Sequence, residues 1–144
     1  MMIRFRYEGE AIGKARPRYS KRGDYVHTYT PKKTQIFEQA IGLHCKVACK
    51  GEIPKHKRDT PVKVDIMIGV SVPKSWSKKK RQEAIECKIL PTKKPDLDNV
   101  VKSVLDAMNG FAYEDDAQVV LIFAERYYTE EEPFIDVLVE EYEL

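Results

Sequence analysis

Cysteine, long apolar runs and repeats are all scarce in this chain, and each scarcity excludes something. Three cysteines in 144 residues, Cys45, Cys49 and Cys87, are too few and odd in number for a disulfide scaffold. No apolar stretch approaches the roughly 20 residues that span a bilayer. The opening MMIRFRYEGE has no apolar h-region, so neither a membrane span nor a secretory leader is expected. The expectation is a reduced, cytoplasmic protein. With only seven glycines, 42% hydrophobic and 33% charged residues, the composition is that of a packed globular protein rather than a disordered one. No internal repeat or low-complexity segment is present, and the length suits one domain, residues 1–144, around one core.

Charge is ample but unevenly placed. The formal net charge is only +2, yet residues 1–94 hold 23 Lys/Arg against 9 Asp/Glu, and residues 95–144 hold 2 against 14. A basic front and an acidic back suit a protein that grips a polyanion and presents carboxylates to it. A surface that simply neutralises itself is the competing reading.

Hydrophobic periodicity orders the chain. Ile3, Phe5 and Tyr7 alternate with Arg4, Arg6 and Glu8, so residues 2–8 read as a half-buried strand. In the following GKARPRYSKRGDYVHTYT, Lys14, Arg16, Arg18, Lys21 and Arg22 crowd around a Lys-Arg-Gly-Asp turn, and Pro17 and Gly23 argue for a loop or hairpin. Thr30-Pro31 reads as a helix start. Ile36, Phe37, Ala40, Ile41, His44, Val47 and Ala48 then form an apolar stripe at helical spacing, stopped by Gly51. After a polar linker, Val62 to Val72 alternates without a miss. Ser77 is expected to cap a short basic helix, residues 97–109 a third helix, and 118–128 and 134–141 two strands that could lie side by side. The order β, loop, α, β, α, α, β, β predicts α+β: a mixed sheet of about four strands with helices mainly on one face.

The chemistry is concentrated in KPDLDNVVKSVLDAMNG and the EDDAQV that follows. Pro95 biases Lys94 towards extended backbone, so Asp96 and Asp98 sit where the chain enters the helix. Leu97, Val101, Val104, Leu105 and Met108 define the expected buried face, and Asn99, Lys102 and Asp106 fall nearly opposite it. Asp115 and Asp116 come from the next loop. A helix of about 12 residues is roughly 18 Å long, and seven extended residues reach about 23–25 Å, so Asp116 can just return to the helix start. Two carboxylates about 4 Å apart repel by roughly 4 kcal/mol at an effective dielectric of 20, so a close cluster calls for a cation or raised pKa values. Magnesium takes such oxygen donors. Equally, Asp98 could merely cap the helix and pair with Lys102, while Asp115 and Asp116 serve as turn residues. On the residues alone both readings stand.

The segment resembles the RusA-type Holliday-junction resolvases. Asp-x-Asp-Asn, the Lys and Asp that follow, and Asp-Asp-x-Gln-Val occur in order and at near-identical spacing over residues 94–119, about a sixth of the chain. GKARPR, TPKKT and VPKSWS look like features of the family's relatives from Gram-positive hosts. The resemblance implies a dimeric, magnesium-dependent endonuclease, with manganese able to substitute, of a kind often carried by phages and prophages. Such enzymes cut four-way DNA junctions by paired symmetrical nicks. It implies metal-binding roles for Asp96, Asp98 and Asp116, an auxiliary role for Asp115, and a catalytic role for Lys102. Asn99, Asp106 and Gln118 match supporting positions.

Phosphate gripping would fall to Lys14, Arg16, Arg18, Lys21 and Arg22, and to Lys78, Lys79, Lys80 and Arg81, with steep salt dependence. Tyr19, Tyr25 and Tyr29 could stack on bases at a junction centre or be ordinary surface aromatics. Trp76, Tyr127 and Tyr128 are expected to pack or to lie in a dimer surface. His44, Cys45 and Cys49 lie close on one helix but lack the pairing of a zinc site.

Overall fold

The computed structural model describes residues 2–15, 18–23, 25–29 and 31–143, and for residues 18, 20, 22 and 27–29 the backbone alone. In chain order the elements are β1 (Met2–Glu8), β2 (Arg18–Arg22), β3 (Tyr25–Tyr29), α1 (Lys32–Ala48) and β4 (Val62–Ser71). They continue with α2 (Lys78–Ile85), α3 (Leu97–Ala107), a 3-10 turn (Asp116–Gln118), β5 (Val119–Thr129) and β6 (Phe134–Glu141). The class is α+β, as the element order predicts. None of the helices described is long and apolar enough to cross a membrane.

Four strands form a mixed sheet in the order β1-β6-β4-β5. The unbroken alternation of β4 buries Val62, Val64, Ile66 and Ile68 on one face, where α1 and α3 lay down Phe37, Ile41, Cys45, Val100, Val104 and Met108. Each fully buried aliphatic side chain there contributes about 1.5–3 kcal/mol of transfer free energy. Among the described residues no helix covers the other face, and Arg4, Arg6, Asp65, Met67, Asp136 and Leu138 line an open groove of about 640 Å³ on it. Strands β4 and β5 run parallel, so the chain between them must cross over, and α2 and α3 make that crossover.

Three sequence expectations are corrected. Strand β6 does not return beside β5: it pairs antiparallel with β4 and β1. Its residues Ile135, Val137 and Val139 are wholly or almost wholly buried, which favours an interior position over an edge. The buried face of α1 is narrower than expected, since Ile36 and Val47 are exposed. Gly42 sets that rotation, because a Cβ there would meet Ala107 O at 3.0 Å and the Phe111 ring at 3.2 Å. On α3, Val100, Ser103 and Ala107 are buried while Leu97, Val101 and Leu105 are only half-buried, because α1 packs across the flank that carries Ser103. The basic segment is a hairpin, β2 antiparallel to β3. The expected Thr30 cap lies outside the described residues, and Pro31 holds the N-cap position of α1. Ser77 does cap α2, accepting the Lys80 N–H at 3.2 Å.

Candidate active site

The acidic segment is built from the entry of α3 onward. Arg126 on β5 donates to the Lys93 carbonyl at 3.1 Å and to the Pro95 carbonyl, tying the loop before the helix to the sheet. Asp96 is the N-cap residue, but its side chain caps no N–H; its Oδ1 accepts the Lys94 ammonium at 2.8 Å. Asp98 lies exposed in the first turn, where the helix dipole favours a negative charge. Lys102 is exposed one turn on, and among the described residues no ion pair joins it to Asp98.

A partly buried ionic network covers the flank of the following turns. Lys14 Nζ stands 2.6 Å from Glu38 Oε1 on α1 and 3.3 Å from Asp106 Oδ2 on α3. Ser103 donates to the same Glu38 oxygen at 3.4 Å. Burial pulls the Lys14 ammonium down, but the two carboxylates outweigh it, and its pKa stands above the ordinary lysine value.

The turn beyond α3 is over-determined. Tyr113 is fully buried and donates its hydroxyl to the Leu105 carbonyl at 2.7 Å. Asn109 Oδ1 accepts the Asp116 N–H at 2.9 Å. Gln118 is buried: its carbonyl accepts the N–H groups of Glu114 (2.8 Å) and Asp115 (3.1 Å), and its amide donates to the carbonyls of Lys57 (2.8 Å) and Thr60 (3.0 Å). One side chain thus staples the acidic turn to the linker before β4. Asp116 comes within hydrogen-bonding reach of the Asp115 and Asp106 side chains. Burial first, then these two neighbours, push its carboxyl above the ordinary aspartate value.

Asp106, Asp115 and Asp116 are therefore brought together, while Asp96 and Asp98 stand at the other end of α3. Eight residues separate Asp98 from Asp106, about 12 Å along the axis. The crowding is not a ligand cage: among the described residues, no three His, Cys, Asp or Glu side chains are gathered so as to hold a metal ion. Asn99 is half-buried and its carbonyl accepts the Lys14 N–H at 2.9 Å.

The basic residues divide. Lys21 is exposed on the hairpin beside exposed Tyr19 and Tyr25. Arg16 lies outside the described residues, as do the side chains of Arg18, Arg22 and Tyr29. Lys78, Lys79 and Lys80 fill the first turn of α2, against the helix dipole, with Lys80 4.0 Å over the Trp76 ring. Arg81 donates to the Pro73 carbonyl at 3.1 Å. Trp76 and Tyr128 pack edge to face at 5.2 Å, and Cys45 and Cys49 are buried free thiols. Glu38, Ser103 and Arg126 were not legible as site residues, because no local spacing links them to the motif. Asn109 was legible only as part of an Asn-Gly stop.

The crossover helix α3 of the mixed sheet thus carries carboxylates, and exposed lysines lie on α2 and on the hairpin. Residues 8–140 match the family of the endodeoxyribonuclease RusA, and the chain belongs to that family. It is therefore a member of a DNA endonuclease family. It is also 37% identical, over 145 aligned residues covering 96% of both chains, to the uncharacterized protein YqaN of Bacillus subtilis (strain 168).

Proposed function

We propose that this protein resolves four-way DNA junctions by paired symmetrical nicks, as a single-domain subunit of a homodimer with one site per subunit. The observation that carries the reading is the crowded carboxylate Asp116, set between Asp106 and Asp115 in a chain of an endodeoxyribonuclease family. Phosphodiester hydrolysis needs a base for the attacking water, neutralisation of charge at phosphorus and help for the departing oxygen. Crowded carboxylates resist ionising together, and a divalent cation among them would relieve that cost and supply the activated water. Lys102, exposed on α3, is assigned to charge on the reacting phosphate. Asp96 and Asp98 are assigned, with Asp116 and the auxiliary Asp115, to a divalent cation. The oxygen-only donor set suits magnesium, with manganese as a substitute. Among the described residues, no three of these carboxylates are gathered into one ligand set. Asn99, Asp106 and Gln118 support the carboxylates. Lys21, with Arg16, Arg18 and Arg22, and the basic start of α2 grip phosphates.

The test is cleavage of an immobile four-way junction beside its matching linear duplex, with magnesium and with EDTA. Paired nicks in the junction alone, lost under EDTA, are expected. Equal cutting of the duplex, or junction binding without cutting, would refute the reading. The second of these would leave a branched-DNA-binding protein, and preferential cutting of flaps or forks a nuclease for other branched DNA.

The dimer is supported by β5. It is an edge strand, yet Val120, Leu121, Ile122 and Phe123 are each 44–57% exposed. Successive residues point to opposite faces, so both sides of this edge are bare. Edge strands usually carry charge or Pro against pairing, and here the first charge is Glu125. Antiparallel pairing of two such edges across a two-fold axis is self-complementary. Phe123→Lys should convert the dimer to a monomer of 16.7 kDa in analytical ultracentrifugation. A variant that stays dimeric would move the seam elsewhere.

A further inference from the structure

We propose that Lys14 and Glu38 are positioning residues of the acidic site: Lys14 clamps Asp106 of α3 to Glu38 of α1 and so sets where Asp106 stands beside Asp116. The inference rests on the reading that this face cuts DNA. Three independent contacts place Lys14 there. Its N–H donates to the Asn99 carbonyl at 2.9 Å, which pins residues 13–15 against the first turn of α3. Gly13 permits that approach, since a Cβ would meet Pro95 Cβ at 3.0 Å and Asn99 Cβ at 3.2 Å. The ammonium then reaches Glu38 at 2.6 Å and Asp106 at 3.3 Å.

Lys14 belongs by sequence to the basic cluster, but by geometry it is already engaged. Its side chain is 22% exposed and its two partners 21% and 27%, so a phosphate would have to displace two carboxylates to reach it. Lys14 is the cation between Glu38 and Asp106, and Asp106 in turn neighbours the crowded Asp116 and Asp115. Without it, Glu38 repels Asp106, and Asp106 can shift relative to Asp116. Ser103 holds Glu38 from the other side, so Glu38 is an anchored post rather than a mobile surface acid.

The experiment is single-turnover cleavage of a four-way junction with magnesium, paired with junction binding in EDTA. Lys14→Met should slow cleavage by about 10–100-fold, the scale of a 1 Å misplacement. Junction affinity should stay within about twofold of wild type, because no phosphate contact is lost. Lys14→Arg keeps a cation between the two carboxylates and should restore the rate to within about threefold of wild type. It also shows that the position tolerates substitution if Lys14→Met folds poorly. A Lys14→Met enzyme that cleaves at the wild-type rate overturns the inference and leaves the proposed function standing. So does a matched loss of affinity with a smaller salt slope, which would make Lys14 a phosphate anchor. A wild-type protein that cuts no junction overturns both.

Discussion

Asp116→Asn should reduce junction cleavage by about a thousandfold or more while leaving junction binding within a few-fold. It should at the same time make the protein harder to unfold near neutral pH. The opposite signs have one cause. Asp116 is partly buried and crowded by Asp115 and Asp106, so ionising it in the folded protein costs more than in the unfolded chain. A carboxyl whose folded pKa is raised contributes stability that is complete below its unfolded value of about 3.8 and is lost as pH rises through the folded value. Above that window the wild type carries the repulsion and the asparagine variant does not. Thermal unfolding of both proteins from pH 3.5 to 7.5 should therefore diverge as pH rises, the variant melting higher. Asp98→Asn is the control. Asp98 is exposed, so this change should abolish cleavage with little effect on the melting curve. Equal cleavage by either variant and wild type would remove that carboxylate from the site.

Gln118→Glu, though isosteric, should damage both stability and cleavage. The carboxylate keeps acceptors for the Glu114 and Asp115 N–H groups, but it loses both donors to the carbonyls of Lys57 and Thr60 and sets negative oxygens against them. Two lost hydrogen bonds and a buried charge facing carbonyls should cost about 3–4 kcal/mol. For a chain of this size that is a fall of roughly 8–12 °C in Tm. Acidification should recover part of the loss, because a protonated Glu regains one donor. Cleavage should fall by about 100-fold, since the turn bearing Asp115 and Asp116 is no longer stapled to the linker before β4. Unchanged melting would show that other contacts, such as Tyr113 to Leu105, suffice to hold the turn.

What was legible in the sequence was local. Alternation marked β4 and β1, capping chemistry marked α2, and the heavy polar and apolar contrast of α3 marked the helix that carries the carboxylates. The orientation of elements depended on distant partners. Ile36 and Val47 extend the apolar stripe of α1 on paper, but the close approach allowed by Gly42 turns them outward. Strand β6 has the composition of any buried strand, and only its fit between β1 and β4 decides its neighbours. At the site, motif spacing singled out Asp115, Asp116 and Asp106 as residues of interest. Chain reach allowed Asp116 to return to the start of α3, whereas Asn109 and Tyr113 hold the turn at its far end. Glu38 lies 24 residues from Lys14, and no periodicity could have paired them.

Strand β1 has a consequence for synthesis on the ribosome. Its neighbour in the sheet is β6, and Arg6 meets Asp136 across 130 residues of chain. At about 5–20 residues per second, roughly 6–26 s pass between the appearance of one and the other. During that interval Ile3 and Phe5, which end up buried, can lie against α1, but the backbone of β1 lacks β6, the strand it pairs with. The nascent protein must wait, shielded or aggregation-prone, until residues 134–141 emerge and close the sheet in a single late step.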